Sequence, residues 1–123
     1  MLPKILIIDD DEATADVLQQ FFNMNGYTCF TQPSALNIVE LVKEVKPIAI
    51  IMDYLLPEIN GGDLCSRLKR EAAFDKIPVI ICSAYSKVSL SLGNYGSDAF
   101  IAKPFNLDDL METVEGLLNR RLG

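Results

Sequence analysis

Histidine is absent from this chain of 123 residues, and that absence removes much common catalytic chemistry. No imidazole is available as a general base near neutral pH or as a nitrogen ligand for zinc. Cysteine is scarce. Cys29, Cys65 and Cys82 are odd in number, show no CxxC spacing and lie inside apolar patterns. They read as reduced core residues in a reducing cytoplasm. Basic charge is also short: eleven Lys and Arg against seventeen Asp and Glu leave a net charge of −6. That is the wrong sign for gripping a phosphate backbone, so direct nucleic-acid binding is not expected. There is no secretory leader and no apolar run near the length of a membrane span. Repeats, low-complexity tracts and linkers are missing too, while half of the residues are hydrophobic, enough for one ordinary core. The expectation is a soluble, cytoplasmic chain with one domain over residues 1–123 and no membrane partner.

What the sequence does contain is a regular alternation. Lys4–Ile8, Tyr27–Phe30, Ile48–Met52, Val79–Cys82 and Ala99–Ala102 read as five strands. Between and after them, apolar residues recur at i, i+3, i+4 and i+7: Val17, Leu18, Phe21 and Phe22; Ala35, Ile38, Val39 and Val42; Leu64, Cys65 and Leu68; and a last set from Leu107 to Leu118. Gly26, Pro47 and Pro78 stand where helices should stop. Strands one, three and four are continuous apolar runs, as in strands covered on both faces. The pattern is therefore an α/β fold, (βα)5, with a parallel sheet. The fourth helix, over residues 86–95, is the weak one, because Val88, Leu90 and Leu92 have strand-like spacing and Gly93 lies inside it. A crossover must still lie between strands four and five.

In open α/β sheets ligands bind beyond the carboxyl ends of the strands, so the residues that follow each strand matter. Asp9 and Asp10 follow strand one, Asp53 strand three, Ser83 strand four and Lys103 strand five. Each has an ordinary explanation taken singly, as a turn residue, a hydroxyl bonded to backbone or a solvated charge. Asp11 and Glu12 need nothing beyond a helix start. Asp9 is different, since it continues an apolar strand directly. Together, three carboxylates, a hydroxyl and an ammonium fall at one rim. Three clustered carboxylates raise one another's pKa unless a cation sits among them. All-oxygen donors without histidine point to Mg²⁺ or a similar hard cation. Such a cation recruits phosphate, and a carboxylate beside it can attack phosphorus to give an acyl phosphate.

Four segments, KILIIDDDE, IIMDYLLPEINGGDL, VIICSA and FIAKPF, in this order and at these separations, resemble the receiver domains of two-component response regulators, of the single-domain, chemotaxis-like kind. The resemblance covers nearly the whole chain. It implies a flavodoxin-like, doubly wound sheet in strand order 2-1-3-4-5 with helices on both faces. It implies Mg²⁺ held by Asp9, Asp10, Asp53 and the backbone carbonyl of Leu55, with Asp10 the more direct ligand and Asp9 acting through water. Asp53 would be the phosphoacceptor, Ser83 the switch hydroxyl, Lys103 the phosphate-pairing lysine and Phe100 the aromatic switch residue. Pro57 and Gly61 match the family's turn after strand three, and Lys103-Pro104 a bond that is usually cis.

The resemblance further implies a phosphoryl donor, either a histidine kinase or a histidine phosphotransfer protein. A downstream effector protein would read the face made by the fourth helix, strand five and the fifth helix, and a homodimer through that face is also implied. The protein would be a switch and not an enzyme, with at most slow self-phosphorylation and autodephosphorylation. Two departures stand out. Position 100 is Phe where many members have Tyr, and Leu55 and Tyr85 offer no strong polar group to orient water, which implies a long-lived phosphoryl group. Three rivals fit less well. A haloacid dehalogenase-type phosphatase would want Thr or Val at Ala13 and an acidic pair where Ser83 and Ala84 stand. A flavin or mononucleotide binder needs an anion loop after strand one, where four acids stand instead. A degenerate receiver, acting by phosphorylation-independent binding, normally lacks the acceptor or the lysine, and both are present here.

Overall fold

The computed structural model describes residues 2–84 and 96–122. Five strands form one parallel sheet: β1 (Lys4–Ile8), β2 (Thr28–Gln32), β3 (Ala49–Asp53), β4 (Val79–Ser83) and β5 (Ala99–Ala102), in the order β2-β1-β3-β4-β5. Four helices are described: α1 (Glu12–Met24), α2 (Ile38–Val45), α3 (Gly61–Arg70) and α4 (Leu107–Leu122). The helix expected over 86–95, and Tyr85 with it, lies outside the described residues; α4 is the helix expected fifth.

Side-chain alternation accounts for the unbroken apolar runs. Leu6, Ile8, Ile50, Met52, Val79 and Ile81 face a core closed by α2 and α3. Their neighbours Ile5, Ile7, Ala49, Ile51, Ile80 and Cys82 face a second core closed by α1 and α4. With helices on both sides, a strand residue is buried whichever way it points. The order reverses at β1, which has β2 on one side and β3 on the other. Loops leaving these strands therefore diverge to opposite faces, and the crevice between them opens above the end of β1.

Several local details differ from the sequence pattern. Val17 belongs to the apolar stripe of α1 but is 52% exposed, while Ala15, Leu18 and Phe22 are buried. Its place on the helix turns it toward a surface groove. Ala35 is buried although it precedes α2, whose N-cap, Asn37, has left-handed backbone and makes no side-chain cap bond. Asp53 and Ser83 close their strands instead of following them, because backbone pairing continues past the last apolar side chain: Asp53 pairs with Cys82 and Ser83 with Ala102. Asp11 caps α1 as expected, its carboxylate accepting from the Thr14 N–H and hydroxyl. Asn60 caps α3 in the same way through the Asp63 N–H at 2.8 Å.

Lys69 at the end of α3 ties distant pieces together. Its ammonium donates to the Ile77 carbonyl at 2.7 Å, the Asp75 carbonyl at 3.2 Å and Asp98 Oδ2 at 2.9 Å. The same Asp98 oxygen accepts from the Val79 N–H. The entries to β4 and β5 are thus fastened to α3. No described helix is long and apolar enough to cross a membrane.

Candidate functional site

The carboxyl rim of the sheet carries the polar residues that an apolar core could not accept. Sheet bonding continues one residue past β1, where the Asp9 N–H donates to the Gln32 carbonyl at 3.0 Å, so Asp9 is placed by backbone and not by its own side chain. It is only 5% exposed. Its Oδ1 accepts from the Asp11 N–H at 2.9 Å, and its Oδ2 lies 3.3 Å from Lys103 Nζ. Asp10, the next residue, is exposed. Asp53 ends β3, half-buried, with Oδ1 also 3.3 Å from Lys103 Nζ. The Lys103 N–H donates to the Ser83 carbonyl at 2.8 Å, which fixes the base of the lysine beside the end of β4. The Lys103-Pro104 bond is cis.

One oxygen from each of Asp9, Asp10 and Asp53 lies within 4.8 Å of the others. Ligands of an octahedral Mg²⁺ stand about 3 Å apart when adjacent and about 4.2 Å when opposite, so the cluster must contract by about 1–2 Å to share one ion. The three carboxylates can therefore close on one hard cation with small side-chain movement, and an all-oxygen donor set suits that ion. Asp9 already has both oxygens engaged, so the exposed Asp10 is the freer of the pair to contact a cation directly.

Electrostatics separate the members of the cluster. Burial raises the pKa of Asp53 most; Lys103 opposes this through its charge, Asp9 adds to the rise, and the net direction is upward. For Lys103, burial works against the charged form, but the charges and hydrogen bonds of Asp9 and Asp53 outweigh it and hold the ammonium above its ordinary value. Lysine is thus well compensated, whereas Asp53 is not. A carboxylate with a raised pKa is a better nucleophile than an ordinary one.

The pH dependence follows. A carboxyl whose folded pKa lies above its unfolded value favours folding most below the unfolded pKa, and that contribution is lost as pH rises through the folded pKa. Asp53→Asn escapes this loss. Without divalent cation, its stability advantage over the unaltered chain is expected to grow as pH rises from the ordinary carboxylate range through the raised Asp53 value, and then to level off. Urea melts in chelator across that range check this; a pH-independent difference would contradict it.

Ser83 is 2% exposed at the end of β4, one residue beyond Cys82, the partner of Asp53. Phe100 is half-buried on β5 and packs against the core under α2 and α3. Leu55, two residues past Asp53, is 52% exposed. Asp9, Asp10, Asp53 and Lys103 are brought together as expected, with Ser83 at the adjoining strand end, while Phe100 lies on the next strand, half-buried against the core. The cysteines stay out of the chemistry: burial pushes Cys29 and Cys82 up to about 12 and Cys65 up to about 11, and all three are free and buried. Two features escaped the sequence reading. The Lys69–Asp98 tie spans 29 residues, and a bond from the Ala35 N–H to Glu58 Oε1, at 3.2 Å, spans 23; neither has a local signature.

Residues 5–115 match the family model described as the response regulator receiver domain. The chain is 31% identical over 121 residues to RpaA of Synechocystis, described as a DNA-binding dual master transcriptional regulator, covering 97% of this chain and 50% of that protein. It is 29% identical to the response regulator MprA of Mycobacterium ulcerans, covering 98% and 52%. The chain thus spans about half the length of these relatives. Among solved structures, the signal receiver domain of a signal transduction histidine kinase from Syntrophus aciditrophicus superposes with a TM-score of 0.87 at 30% identity, over 95% of this chain and 90% of that one. A CheY-like receiver domain protein from Methanospirillum hungatei does so with 0.88 at 27%, over 98% and 96%.

Proposed function

The chain belongs to the response regulator receiver domain family, and on that footing we propose that it is a phosphoryl-accepting switch of a two-component relay. In this reading Asp53 is the acceptor. Asp9, Asp10, Asp53 and the Leu55 carbonyl hold Mg²⁺, and Ser83 and Lys103 meet the phosphoryl oxygens. The observation that carries it is the cluster of three carboxylates within 4.8 Å, with one lysine 3.3 Å from two of them.

The donor is the phosphohistidine of a histidine kinase or a phosphotransfer protein. A carboxylate oxygen of Asp53 attacks phosphorus, the P–N bond breaks, and its electron pair leaves with the donor's imidazole. Mg²⁺, when bound, supplies charge neutralisation for the carboxylates and for the incoming phosphoryl oxygens. Lys103 provides a second positive point, already aimed at Asp53. An open apolar groove of about 580 Å³, lined by Ala13, Val17, Leu18, Pro104, Phe105 and Leu107, runs up to Lys103. A donor protein seated in this groove, which exposes Val17, would bring its phosphohistidine alongside Lys103 and so toward Asp53.

The new group carries a charge of about −2 near neutral pH. It draws the Ser83 hydroxyl inward, Phe100 turns further into the core, and the face to which β5 and α4 contribute changes shape for a downstream effector or a second copy of the chain. In this reading residues 1–123 form one cytoplasmic receiver domain, a switch that by itself carries out at most slow self-phosphorylation and autodephosphorylation. With acceptor and lysine both in place, binding without phosphorylation is the weaker reading.

Incubation with acetyl phosphate and Mg²⁺ tests this directly: intact mass is expected to show one phosphoryl adduct that is base-labile and released by hydroxylamine, as an acyl phosphate is, and an unmodified chain would overturn the proposal. Mg²⁺ alone is expected to raise the melting temperature by relieving carboxylate repulsion, the gain reaching about 2.7 kcal/mol at a hundredfold excess over Kd. An unchanged melt at millimolar Mg²⁺ would remove the cation site. Leu55 is exposed beside Asp53 but has no group to orient water, so the adduct is expected to outlast minutes in purified protein; loss within seconds, followed by mass, would contradict that.

A further inference from the structure

The cation site draws its oxygens from two separate stretches, Asp9 and Asp10 at the end of β1 and Asp53 with Leu55 at the end of β3, so something must hold the two in register. The segment from Leu55 to Ile59 is anchored at both ends. The Tyr54 N–H donates to the Cys82 carbonyl at 2.8 Å, the Gly61 N–H donates to the Tyr54 carbonyl, and Asn60 caps α3. Between those anchors, Leu56 and Ile59 pack on the core, and Leu55 and Glu58 are exposed. Among the described residues, one hydrogen bond ties this segment to another loop: the Ala35 N–H donates to Glu58 Oε1 at 3.2 Å.

That bond has a particular place in the topology. Ala35 lies in the loop after β2 and Glu58 in the loop after β3, and β2 and β3 are the two neighbours of β1. The bond therefore spans the strand end from which Asp9 and Asp10 emerge. The loop it reaches is itself braced. Gln32 Nε2 donates to the Ser34 carbonyl at 2.9 Å and the Leu36 carbonyl at 2.7 Å, and the Gln32 carbonyl accepts from the Asp9 N–H. A continuous path of hydrogen bonds and backbone thus runs from Asp9 through Gln32 and Ala35 to Glu58 and the segment that carries Leu55.

We infer that Glu58 is a positioning residue for the cation site: its carboxylate, by accepting from the Ala35 N–H, holds the segment after β3 at the distance from Asp9 and Asp10 that one cation can bridge. This rests on the reading of the acid cluster as a Mg²⁺ site. Glu58 works here through one oxygen as an acceptor, and its charge is incidental. Partners that orient ligands from behind commonly change metal affinity by tenfold or more when removed.

Three substitutions separate the possibilities. Glu58→Gln keeps an acceptor oxygen at the same reach and loses the charge. Glu58→Asp keeps the charge and loses the reach. Glu58→Ala loses both. Mg²⁺ affinity of the unphosphorylated chain is measured by titration calorimetry, with thermal melts in chelator to show that each variant is folded. The expected result is a Kd for Glu58→Gln within about twofold of the unaltered chain, and weakening of about tenfold for Glu58→Asp and Glu58→Ala. Glu58→Gln as weak as Glu58→Ala would show that charge and not position matters, and would overturn the inference. Equal Kd values for all four chains would overturn it as well, while leaving the cation site intact. Absence of Mg²⁺ binding by the unaltered chain would instead sink the site reading, and the inference with it.

Discussion

Asp53→Asn is expected to take up no phosphoryl group from acetyl phosphate under conditions where the unaltered chain takes up one. The amide has nearly the same shape but no anionic oxygen to attack phosphorus, so no acyl phosphate can form. The effect is all or none because no other member of the cluster can substitute. Asp9 is buried with one oxygen accepting from the Asp11 N–H and the other facing Lys103, and Asp10, though exposed, sits at the end of a different strand. Intact mass reads the result, and a persistent adduct on the variant would move the acceptor to another residue. A second consequence accompanies the first. Asp53 carries its charge against burial and two neighbouring carboxylates, so the variant should be more stable than the unaltered chain without Mg²⁺ and should gain less when Mg²⁺ is added. The opposite ordering would indicate that the Lys103 contact contributes more than the repulsion.

Gly61→Ala is expected to destabilise the fold by about 3 kcal/mol, the scale of overpacking and backbone displacement at a buried site. A methyl group on Gly61 would stand 2.5 Å from the Asp53 carbonyl oxygen and 2.9 Å from the Tyr54 Cα. Both are backbone atoms, so no rotamer change can relieve the clash. The turn itself is closed by the Gly61 N–H and Tyr54 carbonyl at 2.6 Å, leaving α3 no slack to retreat. The chain must open this turn, and the residue displaced is Asp53. Lower stability in urea should therefore be accompanied by weaker Mg²⁺ binding and slower phosphorylation. Gly116 offers a contrast on α4, where an added Cβ meets nothing within 4 Å and alanine removes the helix cost of glycine, so Gly116→Ala should stabilise by about 1 kcal/mol. Equal behaviour of the two variants would show that the crowding at Gly61 is not a constraint.

Much of this architecture could be read from the chain because its signals are local. Continuous apolar runs such as Ile5–Ile8, rich in β-branched residues and bounded by polar ones, read as strands covered on both faces, and Asp9, Asp53, Ser83 and Lys103 are the polar residues at which those runs end. The Asp11 cap is equally local, with donor and acceptor three residues apart. Strand ends were less legible: Asp53 and Ser83 belong to the ladder itself, since backbone groups pair without regard to the side chain they carry. Helical periodicity assigned Val17 to the buried stripe, but which part of a broad stripe is covered depends on what packs above it, and nothing in the described structure covers Val17.

The sequence by itself determined the alternation of strands and helices and the acidic character of the rim, because these depend on residue type and on where each apolar run ends. Tertiary structure alone decided that Lys103 would lie 3.3 Å from both Asp9 and Asp53, that Lys69 would fasten the entries to β4 and β5, and that Glu58 would reach Ala35 above the end of β1. Apart from the Lys69 bonds to the Asp75 and Ile77 carbonyls, those contacts join residues 23 to 94 positions apart. A long side chain can reach many acceptors, and only the packed sheet, by fixing strand order and register, decides which of them come within range.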